Sequence, residues 1–165
     1  MSLRSGHAFT YSDHLHLALG WGVGHAACHA LFFFASLLPL TTGDGSYYSD
    51  SCPGMSLFLV TALNSLGTSA TLVAAMVVAL DGWRRRGAVW MAYAPAVHLA
   101  SALLTLGSFK PGGCMFAVPS VLALGGANAL YAAQTAWRGA PVASAATAPE
   151  GTVALPRTPE ARRDL

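Results

Sequence analysis

Long apolar segments separated by short polar ones make up most of this chain. Each apolar segment contains at least the roughly 20 residues that a helix needs to cross the hydrocarbon of a bilayer, and none of them contains Asp, Glu, Lys or Arg. The pattern predicts an all-α, polytopic transmembrane bundle of four spans, at approximately Leu15–Leu40, Met55–Leu80, Ala88–Ser108 and Met115–Trp137.

The polar segments predict how the chain is divided. The connections GDGSYYSDSCPG, DGWRRRG and FKPGGC are rich in turn-forming residues. After Arg138 the sequence GAPVASAATAPEGTVALPRTPEARRDL has no periodic apolar face, which is typical of a flexible segment. We therefore expect an N-terminal segment at 1–14, a four-helix transmembrane domain at 15–138 and a flexible tail at 139–165.

Composition supports a membrane protein and excludes a nucleic-acid-binding surface. The 165 residues are 54% hydrophobic and only 10% charged, with a mean hydropathy of +0.50, whereas ordinary soluble domains contain about a quarter charged residues. The net charge is +2. The nine Lys and Arg residues are scattered, and a nucleic-acid surface needs its basic residues on one face.

The basic residues predict the orientation of the spans, since short cytoplasmic loops hold an excess of Lys and Arg. Four spans return the chain to its starting side. Only Lys110 falls on the opposite side, together with the acidic loop of Asp44 and Asp50. We expect both termini to be cytosolic, on the side of Arg4, Arg84, Arg85, Arg86, Arg138, Arg157, Arg162 and Arg163.

Two of the three cysteines lie in the loops that this orientation places in an oxidising lumen. Cys52 precedes the second span and Cys114 begins the fourth, whereas Cys28 lies within the first span. A lumenal compartment favours a disulfide between Cys52 and Cys114. The alternative is a pair of unlinked thiols that are too far apart to bridge.

The first span carries a stripe of small residues beside two histidines. Ala18, Gly22 and Ala26 recur every four residues and share one face of a helix. His29 falls almost on that stripe and His25 flanks it. Small residues let membrane helices approach closely, and polar side chains bond across the contact, so this face is predicted to meet another helix.

The other spans also carry polar residues on one face. In the second span Asn64 and Thr71 belong to such a stripe, and in the third span His98 lies one turn after Pro95. We expect these polar faces to form either the interior of the bundle or a surface for another membrane protein.

The three intramembrane histidines permit an enzymatic alternative. His25, His29 and His98 are enough nitrogen ligands for a catalytic zinc with water as its fourth ligand, as in a metal-dependent intramembrane hydrolase. The spans contain no Asp or Glu as a general base, and HExxH is absent. Imidazoles in membrane helices also serve as hydrogen-bonding groups without a metal. A small four-span carrier is a third possibility, although the spans offer it no formal charge.

The order of these motifs resembles the anterior pharynx-defective family, the multi-pass scaffold subunit of gamma-secretase, and most closely its plant and algal members. The resemblance covers about Ser12 to Arg138. It rests on the pattern GxGHxxxHxxFF, the loop GDGSYYSDSC, and PAVHLASALLTLGSFKPGGC followed by VPSVLAL. Its most specific part is the PxxH of Pro95 and His98 followed by GGC.

The resemblance implies a non-catalytic scaffold that assembles with presenilin, nicastrin and a small enhancer subunit. The protease aspartates belong to presenilin, so neither a catalytic residue nor a cofactor is expected here. The resemblance also implies a multi-pass protein of the endoplasmic reticulum, Golgi, and endosomal or plasma membrane. The four spans match the last four of the family's seven, in the orientation expected from the arginines.

Individual positions match the family to different degrees. The small-xxx-small motif of the family's fourth span matches Ala18, Gly22 and Ala26, with alanine at two glycine positions. Of the family's two intramembrane histidines, the second matches His98. The first falls at Leu72, next to Thr71, so this chain lacks that imidazole.

Overall fold

The structure is a computed structural model that describes residues 9–43, 47–85 and 87–146. Its described residues include four helices that are long and apolar enough to cross a membrane: Tyr11–Ala35, Leu57–Arg84, Val89–Phe109 and Cys114–Ala140. The predicted all-α fold with four spans is therefore confirmed. The predicted N-terminal segment up to residue 8, Asp44, Arg86 and residues 147–165 lie outside the described residues.

Helix α1 is Tyr11–Ala35, and it begins earlier than the predicted span. Thr10 sets this start, because its hydroxyl accepts a hydrogen bond from the Asp13 backbone N–H while the Asp13 carboxylate accepts one from the Thr10 N–H. The helix ends at Ala35, before the predicted Leu40. Pro39, which cannot continue an α-helix from within it, lies instead in a short 3-10 helix at Leu38–Thr42.

A small β-hairpin lies between the first two helices. Strand β1 is Tyr48–Ser49 and strand β2 is Cys52–Ser56, and the two pair antiparallel. The side chain of Ser56 then accepts a hydrogen bond from Leu59 N and caps the next helix. We call this part of the molecule the hairpin end; the opposite end, which carries Arg84, Arg85 and Arg138, is the arginine end.

Helix α2, Leu57–Arg84, is the centre of the bundle. It packs against α1 and against the helices of the third and fourth spans. In the most apolar stretch of α2, 50% of the residues are buried within the chain. In the corresponding stretch of the third span, only 6% are buried. The third span therefore lies at the periphery and leaves most of its surface uncovered by this chain.

The third span is interrupted near its start. Helix α3 is Ala88–Met91, helix α4 is Tyr93–Leu106, and a 3-10 turn follows at Gly107–Phe109. Pro95 explains the interruption, because it has no N–H to donate to the carbonyl of Met91. The first N–H groups of a helix have no intrahelical acceptor, so a proline in the first turn of α4 removes no helical hydrogen bond.

Helix α5 is Cys114–Ala146, so the last helix continues beyond Arg138. Residues 139–146, which the sequence analysis assigns to a flexible tail, are helical. The Ala- and Gly-rich sequence just after Arg138 has no strong turn signal other than Pro141, and it extends a helix that is already formed. The rest of the predicted tail lies outside the described residues.

Candidate functional site

The three intramembrane histidines lie together. His25 and His29 are one turn apart on α1, with ring centroids separated by 5.0 Å. The ring of His98 on α4 lies 6.1 Å from that of His25 and 5.6 Å from that of His29. The imidazoles thus form one cluster between two helices that both pack on α2, which we call the histidine cluster.

The histidine cluster lies at the surface of the chain. His25 and His29 are half-buried, whereas His98 is exposed. Ser101 is the buried residue of α4, and exposed leucines, Leu99 and Leu103, flank His98 on the same helix. Ser101 lies three residues after His98, yet it is buried whereas His98 is exposed.

The structure does not support the zinc hydrolase alternative. Within residues 9–43, 47–85 and 87–146, no group of three His, Cys, Asp or Glu side chains has an arrangement that holds a metal ion. The three histidine rings are close together, but they are not arranged as the ligands of one metal ion. Their donors and acceptors remain available for hydrogen bonds.

The small-residue stripe of α1 faces α2. Ala18 and Ala26 are 1% and 7% exposed, and Gly22 is buried between them. A Cβ atom added at Gly22 would lie 2.9 Å from the Cα atom of Val73 and 3.3 Å from its carbonyl oxygen. This stripe is occupied by a helix of the same chain, so it does not offer a free surface to a partner.

A second close crossing joins α2 to α5 through two glycines. A Cβ atom at Gly67 would lie 2.8 Å from the carbonyl oxygen of Val121, and one at Gly125 would lie 2.5 Å from the carbonyl oxygen of Gly67. Spacing within one helix does not show which helix it meets, so this pair is not among the predicted site residues.

The predicted polar residues of α2 act within the chain. Thr71 is 1% exposed, and its hydroxyl donates to the carbonyl of Gly67, one turn earlier on the same helix, at 3.0 Å. The Oδ1 atom of Asn64 is buried and accepts no hydrogen bond from the described residues. Leu72, where the resemblance implies the first family histidine, is 3% exposed.

Cys52 and Cys114 are joined by a disulfide, with their Cα atoms 5.5 Å apart. They are 1% and 0% exposed and pack against Val60 and Val118. The backbone N–H of Cys114 also donates to the carbonyl of Ser51 at 3.3 Å. The pair therefore joins the hairpin to the first turn of α5, whereas Cys28 is exposed and unlinked.

A polar contact near the arginine end links α4 to α5. The Tyr93 hydroxyl donates to Oδ1 of Asn128, and Nδ2 of Asn128 donates to the carbonyl of Leu124 at 2.8 Å. Asn128 is only 5% exposed, so this contact satisfies both ends of its buried amide. Neither residue is among the predicted site residues, and Tyr93 could not be recognised from the sequence because an aromatic residue in an apolar segment gives no distinguishing signal.

Comparison with known proteins identifies relatives over most of the chain. Residues 3–139 match the family model described as "Aph-1 protein". The chain is 30% identical over 127 residues to the gamma-secretase subunit APH1-like of Arabidopsis thaliana. The match covers 77% of this chain and 51% of that protein, so the chain spans about half the length of this relative. No solved structure matches the chain significantly.

Proposed function

The chain belongs to the Aph-1 family, and we propose that it is a non-catalytic scaffold subunit of a gamma-secretase-like intramembrane protease complex. Its partners in this proposal are a presenilin-like protease, a nicastrin-like subunit and an enhancer-like subunit. The complex would reside in the endoplasmic reticulum, Golgi, and endosomal or plasma membrane. The transmembrane domain at 15–138 carries this role, and both termini face the cytosol.

The observation that carries the proposal is the exposed imidazole of His98 on a membrane-spanning helix. Polar side chains are costly in contact with lipid hydrocarbon and usually face a protein or a hydrated cavity. Helix α4 buries little of its surface within this chain. A helix of another subunit, packed over α4, would remove His98 from lipid and supply its hydrogen-bonding partner.

The histidine cluster is chemically suited to such a contact. A neutral imidazole has one donor and one acceptor, so it bridges two polar groups without bringing a charge into the membrane. His25 and His29 add imidazoles within 6.1 Å of His98. We infer that these two residues of α1 supply polar contacts on this side of the bundle.

The contacts already made within the chain limit where partners bind. Val73 of α2 occupies the space beside Gly22, and Val121 of α5 occupies the space beside Gly67. These faces hold the scaffold itself together. Other large apolar side chains are exposed on α1 and α5, such as Phe32 and Phe116, but the outer face of α4 with the adjacent histidines of α1 is the exposed surface that carries imidazoles, and we propose it as the partner contact.

Co-expression with candidate subunits tests the proposal. The tagged chain is purified in mild detergent after co-expression with a presenilin-like subunit, and the bound subunit and zinc are both quantified. We expect a stoichiometric complex without stoichiometric zinc. A chain that purifies alone from membranes containing that subunit, with one zinc per chain, would contradict the scaffold function.

A further inference from the structure

A cavity of about 490 Å³ lies at the arginine end of the bundle, distant from the histidine cluster along the helices. It lies between the last turns of α2, the short helix α3 and the arginine-bearing part of α5. The residues that define its chemistry are Asp81, Arg84, Arg85, Trp90, Tyr131 and Arg138. This volume is within the range of about 300 to 1,000 Å³ that is typical of small-molecule sites.

The cavity has an excess of positive charge. Asp81 accepts from Arg84 at 2.9 Å and from Arg85 at 2.7 Å. This single carboxylate therefore orients two guanidinium groups, each of which has five N–H donors. Arg138 lines the opposite wall and has no carboxylate partner among the described residues. The Arg84 guanidinium also lies over the Tyr11 ring, 4.9 Å from its centroid. With three arginines and one aspartate, the charged residues that line the cavity sum to a net charge of +2.

The ion pairs do not prevent an anion from binding. The Arg85 side chain is 55% exposed and that of Arg84 is 34% exposed. The Asp81 side chain is only 12% exposed, so the two pairs are partly shielded from water and are expected to stay formed. A phosphate group would therefore bind the exposed parts of the guanidinium groups while their contacts to Asp81 are kept.

Aromatic residues place the cavity at the depth of lipid head groups. Trp90 stacks on Tyr131 with ring centroids 6.1 Å apart. Trp83 and Trp137, which precede Arg84 and Arg138 in the chain, are 64% and 81% exposed. Tryptophan and tyrosine are enriched where membrane helices pass from hydrocarbon into the head-group region. The exposed tryptophans would thus contact acyl chains while the arginines face the head groups.

We propose that this cavity binds the phosphate head group of an anionic membrane lipid. Basic cavities between spanning helices are suited to multiply charged head groups, because each nearby arginine attracts the anionic surface. A phosphomonoester fits the donor set particularly well, since guanidinium groups bind phosphate oxygens in a bidentate manner. This lipid site is distinct from the proposed subunit contact at His98.

Binding of short-chain lipids to the detergent-purified full chain tests the proposal. Native mass spectrometry would compare dioctanoyl phosphatidylinositol 4-phosphate with dioctanoyl phosphatidylcholine. We expect preferential binding of the anionic lipid. Arg138→Gln should weaken that binding roughly fivefold, whereas Lys110→Gln, which removes a charge from the hairpin end, should leave it unchanged. Arg85→Gln provides a second variant, and elution volume and thermal unfolding check that each variant is folded.

Two results would overturn the lipid site. Equal loss of binding in Arg138→Gln and Lys110→Gln would show attraction to overall charge without a specific cavity. Competition by inositol 1,4-bisphosphate at the same concentration as the lipid would show a site for a free phosphate ester. Neither result affects the recovery of protein partners, so this test is independent of the proposed scaffold function.

Discussion

At the scale of single residues, Cys52 and Cys114 connect parts of the chain that are distant in sequence. They are separated by 62 residues, and both are almost fully buried. A cross-link of this length lowers the conformational entropy of the unfolded chain, an effect that grows with the size of the closed loop. It also holds the hairpin against the start of α5, where Cys114 pairs with the backbone of Ser51.

Cys114→Ala is expected to lower the free energy of unfolding by about 2 to 4 kcal/mol. The matched control is Cys28→Ala, because Cys28 is exposed and unlinked; that variant should unfold like the parent protein. Thermal unfolding in detergent measures both effects, and peptide mapping without reductant detects the linked pair. Recovery of Cys52 and Cys114 as free thiols from lumen-exposed protein would show that the bond does not form in the cell.

The sequence predicts part of the histidine cluster but not all of it. Their spacing in α1 puts His25 and His29 on neighbouring positions, and both lie in the cluster as observed. The proximity of His98 depends on how α1 and α4 both pack on α2, which spacing within one helix does not determine. The exposure of His98 likewise follows from the peripheral position of α4, so it became apparent only in the folded chain.

At the scale of elements, apolar length was sufficient to predict the four spans but local chemistry decided their ends. The capping pair of Thr10 and Asp13 starts α1 early, and Pro95 divides the third span into α3 and α4. The β-hairpin was not predicted, since β1 contains only Tyr48 and Ser49. Such a short strand has no measurable alternation of polar and apolar residues.

The crossing of α2 and α5 provides a matched test of helix packing. Gly125 lies against Gly67, whereas an added Cβ atom at neighbouring Gly126 would have no atom within 4 Å. Gly125→Ala should destabilise the chain by about 1 to 3 kcal/mol because the backbones must separate. Gly126→Ala should be neutral or slightly stabilising, since alanine favours a helix over glycine.

Thermal unfolding in the same detergent compares the two alanine variants directly. Both remove a glycine from the same helix, so they change helix propensity equally. Similar unfolding temperatures would show that α2 and α5 do not approach as closely as the structure indicates.

At the scale of the whole molecule, charge is divided between the two ends of the bundle. Arg84, Arg85 and Arg138 lie at the arginine end. Lys110 lies at the other end, two residues before Gly112, whose backbone N–H donates to the carbonyl of Asp50 in the hairpin turn. Because basic residues are retained on the cytoplasmic side, the hairpin should face the lumen. This orientation also gives the disulfide an oxidising environment.

Glycosylation mapping tests the orientation in membranes. A glycosylation tag inserted in the 43–54 loop should be modified, and a tag after Arg163 should remain unmodified. The reverse pattern would place the arginine end in the lumen. In that case the assignments of both termini to the cytosol would be wrong.

The proposed scaffold function depends most directly on the outer face of α4. His98→Ala removes both the donor and the acceptor of the exposed imidazole, whereas His98→Asn retains one of each. Leu130→Ala is the control, because Leu130 is 67% exposed but lies on α5, outside the proposed contact surface. If His98 acts through hydrogen bonds to another subunit, the three variants should differ in how well they retain it.

The decisive measurement is the amount of presenilin-like subunit that co-purifies with each variant after co-expression, normalised to the tagged chain. The proposed scaffold function predicts a several-fold loss for His98→Ala, partial retention for His98→Asn and near-normal recovery for Leu130→Ala; one lost hydrogen bond of about 1 kcal/mol corresponds to roughly a fivefold change in affinity. Normal recovery of that subunit with His98→Ala would contradict this proposed function.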